Sequence, residues 1–491
     1  MDLNIELLRN GIPYYEQIYE AVRDDIVSSV LKPGEKLPST RSLADYLKVS
    51  RSTVITAYEQ LQSEGYLTSR GGSGNYVQGI EDLAFLEPVK QNREVPVRTG
   101  QAPFYAMQHP VARPEEPGII DFSPRRIDMS AFPYATWRRI LRNLLVGERS
   151  DIFEMGDPQG DLPLRETIAH YLQLSRRVKC SAGNIILGAG NDYMLMLLGR
   201  ILGGENRIGM ENPTYPRAAM IFRALGNSVK AVRMDEAGLC VADPGTADCS
   251  ILYVMPAHQY PMGITMPYSR RMELLQWAEQ SDGRYIIEDD YDSEFRYSGK
   301  PLPSLQSADR SGKVLYLGTF SKSIAPAIRV SFLVLPDRLM QCYHDRCSYL
   351  SSTVSRMDQS LLEVFLDEGY FERYVNRMRN RYRAKEGQLL ELLAPFGDRY
   401  RVTGQGAGLH VVLQERESGM KWDRGSTACR EEELAARAEA AGVRVHPLSH
   451  LYLPDADIPA GQAITPSWLL GFAALTAEEI AEGVEKLRGV L

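Results

Sequence analysis

A lysine stands between two serines in GTFSKSIAPAIR (318–329), inside a run that is otherwise small and apolar. Lysine is strongly hydrated and is rarely buried without a partner, so Lys322 needs a chemical reason to be there. The stretch follows the apolar run KVLYLG, which puts Lys322 just past a strand's carboxyl end, where ligands gather in α/β sheets. An amine desolvated in such a place loses its proton more easily and can attack a carbonyl. Thr319 and Ser321 add hydroxyls and Arg329 adds a cation, a set suited to a phosphate dianion. Taken alone, S-K-S is a weak motif that a surface lysine satisfies equally well.

Its companions narrow the chemistry. RYIIEDDYDSEF places Asp289 and Tyr291 at another strand end. Pyridoxal phosphate (PLP) needs a carboxylate to keep its pyridinium nitrogen protonated and a phenol near its 3-oxygen. A metal would also suit paired carboxylates, but no histidine stands nearby in sequence to complete its shell. NIILGAGNDYMLML reads as strand, glycine turn and helix, with Gly190, Asn191 and Asp192 presenting N–H groups to a phosphate. The charge of Asp192 works against that. ENPTYPRA offers Tyr215 as a ring to stack on a pyridine, or simply to pack, and Arg217 as a cation for a ligand carboxylate.

The elements that must position these groups follow from length and pattern. At 491 residues the chain predicts two or three domains, and 44% apolar with 24% charged residues is a globular composition. A net charge of −7 excludes a chain that is basic throughout, so nucleic-acid contact would need a local patch. The six cysteines are scattered without a CxxC pair, as in reduced thiols rather than a disulfide framework or zinc site. The N-terminus has no apolar signal region and no run of about 18 apolar residues occurs, which predicts a cytoplasmic protein without a membrane partner. Residues 79–118, rich in proline and charge, read as a linker. From 119 to 491, apolar runs such as CSILYVMP and RYIIEDDY alternate with helical stretches, predicting an α/β domain with a largely parallel sheet.

Residues 11–78 predict three helices and a hairpin. Ile18, Val22, Ile26 and Val30 mark one helix face, Ser39 or Thr40 can cap a second helix, and Ser50 can cap a third. YLTSRGGSGNYV reads as two strands about a glycine turn. This is a winged helix-turn-helix, whose third helix opens with groups able to reach bases and phosphates of double-stranded DNA. Residues 1–78 hold eight Lys/Arg against ten Asp/Glu, but six of the cations fall between 32 and 70. The stretch resembles, over its whole length, the DNA-binding domain of GntR-type transcription regulators. That resemblance implies operator contacts from Arg41, Arg51, Ser52 and Thr53, with Arg70 and Gly74 in or beside the wing.

MGDPQGDLPLRETIAHYL, LGAGNDYM, ENPTYP, PAHQYPMG, IIEDDYD, GTFSKSIAPAIR and LLGFAAL, in that order, resemble the fold-type I aminotransferases. Joined to a winged helix, the whole resembles the MocR/GabR type of bacterial transcription regulator: a small α+β winged helix-turn-helix domain plus a large α/β PLP-dependent aminotransferase-like domain. The resemblance implies that Lys322 forms the internal aldimine, Asp289 pairs with the ring nitrogen, Tyr291 touches the 3-oxygen and Arg329 grips the phosphate. His258 and Gln259 would line the pocket near the ring. It also implies a homodimer, and an effector that is an amine, an amino acid or PLP itself. The pattern departs in places. Tyr260–Pro261–Met262–Gly263 replaces the usual Asn-Pro-Thr-Gly, and Met155 stands where a tyrosine is favoured. ITPSWLLGF lacks the arginine that transaminases use for a substrate carboxylate, leaving Arg217 or Arg444 to substitute. Inefficient transamination is therefore expected, because poor orientation costs several kcal/mol of barrier. An active aminotransferase with an added DNA-binding domain is the alternative, and a regulator that has lost PLP a third reading.

Overall fold

The computed structural model describes residues 5, 7–8, 12–28, 30–70, 74–78, 118–146, 150–297, 302–416, 422–453 and 464–491. The chain divides into two compact units, Met1–His109 and Pro110–Leu491. The predicted linker lies outside the described residues except for Gly118, as does Gly11 at the expected start of the first domain.

In the small unit, helices run over Tyr14–Val27, Thr40–Leu47 and Arg51–Ser63, followed by the antiparallel strands Leu67–Arg70 and Gly74–Val77. The caps fall where serine chemistry puts them. Ser39 Oγ accepts from the Ser42 N–H at 3.1 Å and Ser50 Oγ from the Thr53 N–H at 3.2 Å. Ile18, Val22 and Ile26 are buried against Val54, Ala57 and Leu61, each such side chain contributing roughly 1.5–3 kcal/mol by leaving water. Val30 does not extend that face. The first helix closes at Ser28, whose N–H returns to Asp24, so Val30 is 65% exposed and Leu31 enters the core instead. The turn between the second and third helices is made by Lys48, in the left-handed region at φ +53°.

The large unit is built on a seven-stranded sheet. Its order is Ile185–Gly188, Ser331–Val334, Val314–Thr319, Tyr285–Asp290, Ile251–Val254, Arg207–Glu211 and Ser228–Val232. Every neighbouring pair is parallel except those made by Ser331–Val334, which runs against both of its neighbours. Both faces are covered. Leu315, Leu317, Ile287 and Tyr253 pack into one cluster, while Val314, Ile286, Leu252 and Val254 pack into another, as the two-residue alternation of a doubly buried sheet requires. The carboxyl ends of Tyr285–Asp290 and Val314–Thr319 lie side by side, Asp290 opposite Gly318. A smaller antiparallel sheet orders Tyr400–Thr403, His410–Glu415, Ser467–Gly471 and His446–Pro447, and helix Arg424–Ala440 packs on it. Among the described residues no helix is long and apolar enough to cross a membrane.

Candidate functional site

Three consecutive acids end the strand Tyr285–Asp290, and the pleat sends them to different fates. Glu288 accepts the N–H groups of Leu305 and Gln306, both at 2.8 Å. Asp290 is paired with the buried Arg176, Oδ2 to Nε 2.7 Å, and accepts from the Tyr316 hydroxyl at 2.5 Å. Asp289 points the other way. Its Oδ2 accepts from the Tyr253 hydroxyl on the adjacent strand, while Oδ1 is buried and has no partner. With no cation beside it, burial pushes the Asp289 carboxyl up to about 7. A buried carboxylate oxygen left unbonded costs free energy, and a cationic N–H donor is what would relieve it.

Lys322 lies in the segment that turns from Val314–Thr319 back into Ser331–Val334. Phe320 N–H returns to Val330 and Ile324 N–H to Phe320, with Phe320 and Ile324 buried, so the turn is held from inside. The lysine is half-buried, and its Nζ donates to the carbonyl oxygens of Pro124 and Arg125, each at 3.1 Å. Burial lowers the amine to about 8; the Asp292 carboxylate opposes the shift and the Arg125 charge adds to it. At pH 7 roughly a tenth of this amine is therefore the free base, the form that attacks a carbonyl.

The hydroxyls and glycine turn next to it form a second group. Ser331 Oγ bridges Thr319 Oγ1 at 2.8 Å and Asn191 Oδ1 at 2.9 Å, and Thr319 Oγ1 accepts the Ser321 N–H at 3.2 Å. Ser321 Oγ is buried without a partner. Gly190, at φ +86°, starts the helix Asn191–Leu202, and a Cβ there would stand 2.4 Å from Nη2 of Arg329. Only glycine lets that guanidinium lie against the helix N-terminus, whose first N–H groups have no intrahelical acceptor. Asp192 is less of an obstacle than its charge suggests. It pairs with Arg217 at 3.1 Å and lies 3.6 Å from Arg329, so its carboxylate faces two guanidinium groups. Tyr215 leans toward the same carboxylate, and burial pushes its hydroxyl up to about 12.

Tyr291 and His258 form a third group. The Tyr291 hydroxyl lies 3.1 Å from His258 Nδ1, which is also 2.9 Å from Asp292 Oδ2. Burial draws the imidazole down, but the facing Asp292 carboxylate outweighs it and leaves the group raised. His258 Nε2 is buried and unpartnered. Gly408 permits this packing, since a Cβ on it would come 2.0 Å from the imidazole. Gln259 does not line a pocket. It is 1% exposed, and its amide is used on Tyr260 and Met262 to brace its own turn and on the carbonyl of Pro213 to tie that turn to a remote segment. The buried amide serves backbone groups that would otherwise be unpaired.

The expected cofactor residues thus gather about two strand ends and one helix start, and the unpartnered Asp289 Oδ1 and Ser321 Oγ with the Gly190 cradle fit PLP. The effector candidates lie elsewhere in the charge map. Arg217 is exposed and paired with Asp192, and Arg444 is bound to Glu439 at 2.6 Å. Reasoning from motifs missed Tyr253, Asp292 and Arg125. Asp292 stands in the same acidic run as Asp289, a signal that was available; Tyr253 is one apolar-strand aromatic among many.

In the helix-turn-helix, Arg41, Arg51 and Ser52 are exposed. Arg51 Nε reaches Thr40 Oγ1 at 3.5 Å, across the start of the preceding helix. Ser52 and Thr53 hydroxyls are each 2.7 Å from Ser50 Oγ, so both share in the cap. Gly74 opens the second wing strand at φ +112°, with Lys36 alongside. Arg70 closes the first wing strand; its side chain lies outside the described residues.

Residues 14–77 match the family of bacterial regulatory proteins, gntR family, and residues 128–487 match aminotransferase class I and II. The HTH-type transcriptional regulator YdeL of Bacillus subtilis is 34% identical over 99% of both chains. The probable rhizopine catabolism regulatory protein MocR of Rhizobium meliloti is 32% identical over 97% of this chain and 93% of its own. The chain belongs to the MocR-type transcription regulators. The regulator is also 34% identical to the pyridoxine biosynthesis transcriptional regulator PdxR of Corynebacterium glutamicum, over 81% of this chain and 82% of that one. Its large unit has the aminotransferase fold. Kynurenine aminotransferase of Pyrococcus horikoshii superposes with a TM-score of 0.65 at 25% identity, covering 76% of this chain and 90% of that one.

Proposed function

We propose that the regulator holds PLP in its aminotransferase-like unit, covalently through Lys322, and that an amine or amino acid reaching the cofactor changes how the winged helix binds its operator. The observation that carries this reading is Asp289: a buried carboxylate whose Oδ1 has no donor, in a site that also holds a partly deprotonated lysine. PLP bound there supplies an aldehyde that captures primary amines and an electron-poor ring. The protein's groups have separate tasks. Asp289 would take the ring N–H, and Tyr291 would present its hydroxyl, which lies beside the His258 Nδ1 that also meets the Asp292 carboxylate. Tyr215 covers the ring. Arg329, Thr319, Ser321 and the helix start at Gly190 and Asn191 hold the phosphate.

A signal of this kind needs two states that bind the effector differently. A homodimer is part of the reading, as in aminotransferase-like sites built where subunits meet. PLP itself is a second candidate signal, supported by the name of the PdxR relative. A cytoplasmic setting is proposed with it. The test is the visible absorbance of purified protein with added PLP, beside Lys322→Ala. A band in the wild type that the variant lacks supports the reading; no band in the wild type refutes it.

A further inference from the structure

The chain lacks the arginine that holds a substrate carboxylate in aminotransferases, and its two expected substitutes are occupied. Arg217 serves Asp192, which also faces Arg329, and Arg444 serves Glu439. One cation beside the lysine is left over. Arg125 follows the strand Ile120–Asp121, and its own carbonyl oxygen accepts from Lys322 Nζ at 3.1 Å. Its side chain is exposed, and among the described residues its guanidinium has neither an ion-pair nor a hydrogen-bonded partner. Its charge nonetheless bears on Lys322, Tyr215 and Tyr260, which belong to three separate segments. Among the described residues a guanidinium whose charge reaches all three has no acid of its own.

We propose that Arg125 binds the carboxylate of the effector, so that the pocket selects an amino acid over a simple amine. This rests on the reading that Lys322 marks where the effector's amine arrives. Lys322 Nζ is hydrogen-bonded to the main chain of residue 125 itself, so a ligand amine arriving there brings its carboxylate within one side chain's reach of the guanidinium. The planar fork of arginine binds a carboxylate through two parallel N–H groups, which a methyl or hydroxyl cannot accept. Arg125 also stands outside every motif of the aminotransferase pattern, which is why inspection of those motifs passes over it.

The test uses full-length wild type, Arg125→Gln, Arg125→Lys and Arg126→Gln, each loaded with PLP and compared first by visible absorbance. Each is then titrated with L-alanine and β-alanine against ethylamine, and with γ-aminobutyrate against propylamine, following the spectral change to obtain an affinity. The expected result is that wild type prefers at least one amino acid over its amine. That preference falls about ten- to hundredfold in Arg125→Gln, the range of a lost charge-assisted hydrogen bond, with amine affinity unchanged. Arg125→Lys recovers part of it and Arg126→Gln keeps it. The proposal is overturned if wild type shows no preference for any amino acid, if the preference survives in Arg125→Gln, or if Arg126→Gln removes it equally. Absence of a visible band in wild type refutes the cofactor reading and this proposal together. A normal band with no dependence on Arg125 refutes this proposal alone.

Discussion

Asp289→Asn separates what the carboxylate costs the protein alone from what it gains with PLP. Without the cofactor, burial raises the carboxyl from the usual 3.8 to about 7. Between those values the native state keeps a proton that the unfolded chain has released, so stability falls as pH rises through that window and the full cost is present above it. A displacement of that size corresponds to about 4 kcal/mol. Asparagine removes the charge but points an amide N–H₂ or oxygen into the same unpartnered place, giving back roughly 1–3 kcal/mol. The net expectation is that cofactor-free Asp289→Asn is more stable than wild type by about 1–3 kcal/mol at pH 8. The difference shrinks as pH is lowered toward 4. PLP reverses the order. A ligand at a hundred times its dissociation constant adds about 2.7 kcal/mol, and the variant loses most of that gain because a neutral amide cannot stabilise a protonated pyridinium. Thermal unfolding followed by dye fluorescence at pH 5 and pH 8, with and without PLP, reads all four values. If cofactor-free Asp289→Asn is less stable than wild type at pH 8, or if PLP stabilises both proteins equally, the argument from the unpartnered Oδ1 is wrong.

Gly190→Ala places a Cβ 2.4 Å from Arg329 Nη2 at a φ of +86°. PLP affinity measured by equilibrium dialysis should drop about tenfold or more, and unfolding should shift by about 1–3 kcal/mol, because that φ with a ψ of 169° is open essentially to glycine alone. The rate at which PLP loads should rise with pH to a midpoint near 8, where Lys322 loses its proton, rather than near 10.5; a stopped-flow pH series checks this. Arg176→Met leaves Asp290 buried and charged, a loss of about 3–5 kcal/mol in chemical denaturation. Much of that returns when Asp290→Leu is added. In the winged helix, Arg51→Ala should weaken binding to operator and non-operator DNA alike and reduce the salt slope by about one, if Arg51 meets a phosphate. A loss confined to the operator would place it on a base instead.

Local sequence determined a good deal of this protein. Ser39 and Ser50 set two helix starts because a hydroxyl before a helix satisfies an N–H that the helix cannot. Apolar runs marked five of the seven strands of the central sheet, but not Arg207–Glu211 or Ser228–Val232, because strands buried on both faces have no reason to alternate. Lys322, Asp289 and Gly190 were legible for a different reason: a lysine among small residues, acids at a strand end and a glycine before a helix are each costly unless something uses them. Periodicity misled at Val30, where the helix ended a turn early.

Only the tertiary structure decided which acid of Glu288, Asp289 and Asp290 was left with neither a cation nor backbone N–H donors, since Arg176 and the backbone of 305–306 come from remote parts of the chain. It likewise turned Asp192 from an unwelcome charge into the partner of Arg217 and Arg329, and used Gln259 to tie its turn to the carbonyl of the remote Pro213. Arg125 belongs to the same class. Residue types and spacing report what a segment prefers by itself, whereas the pairing of a charge depends on which segments the fold brings within a few ångströms, and Coulomb energy is set by that distance.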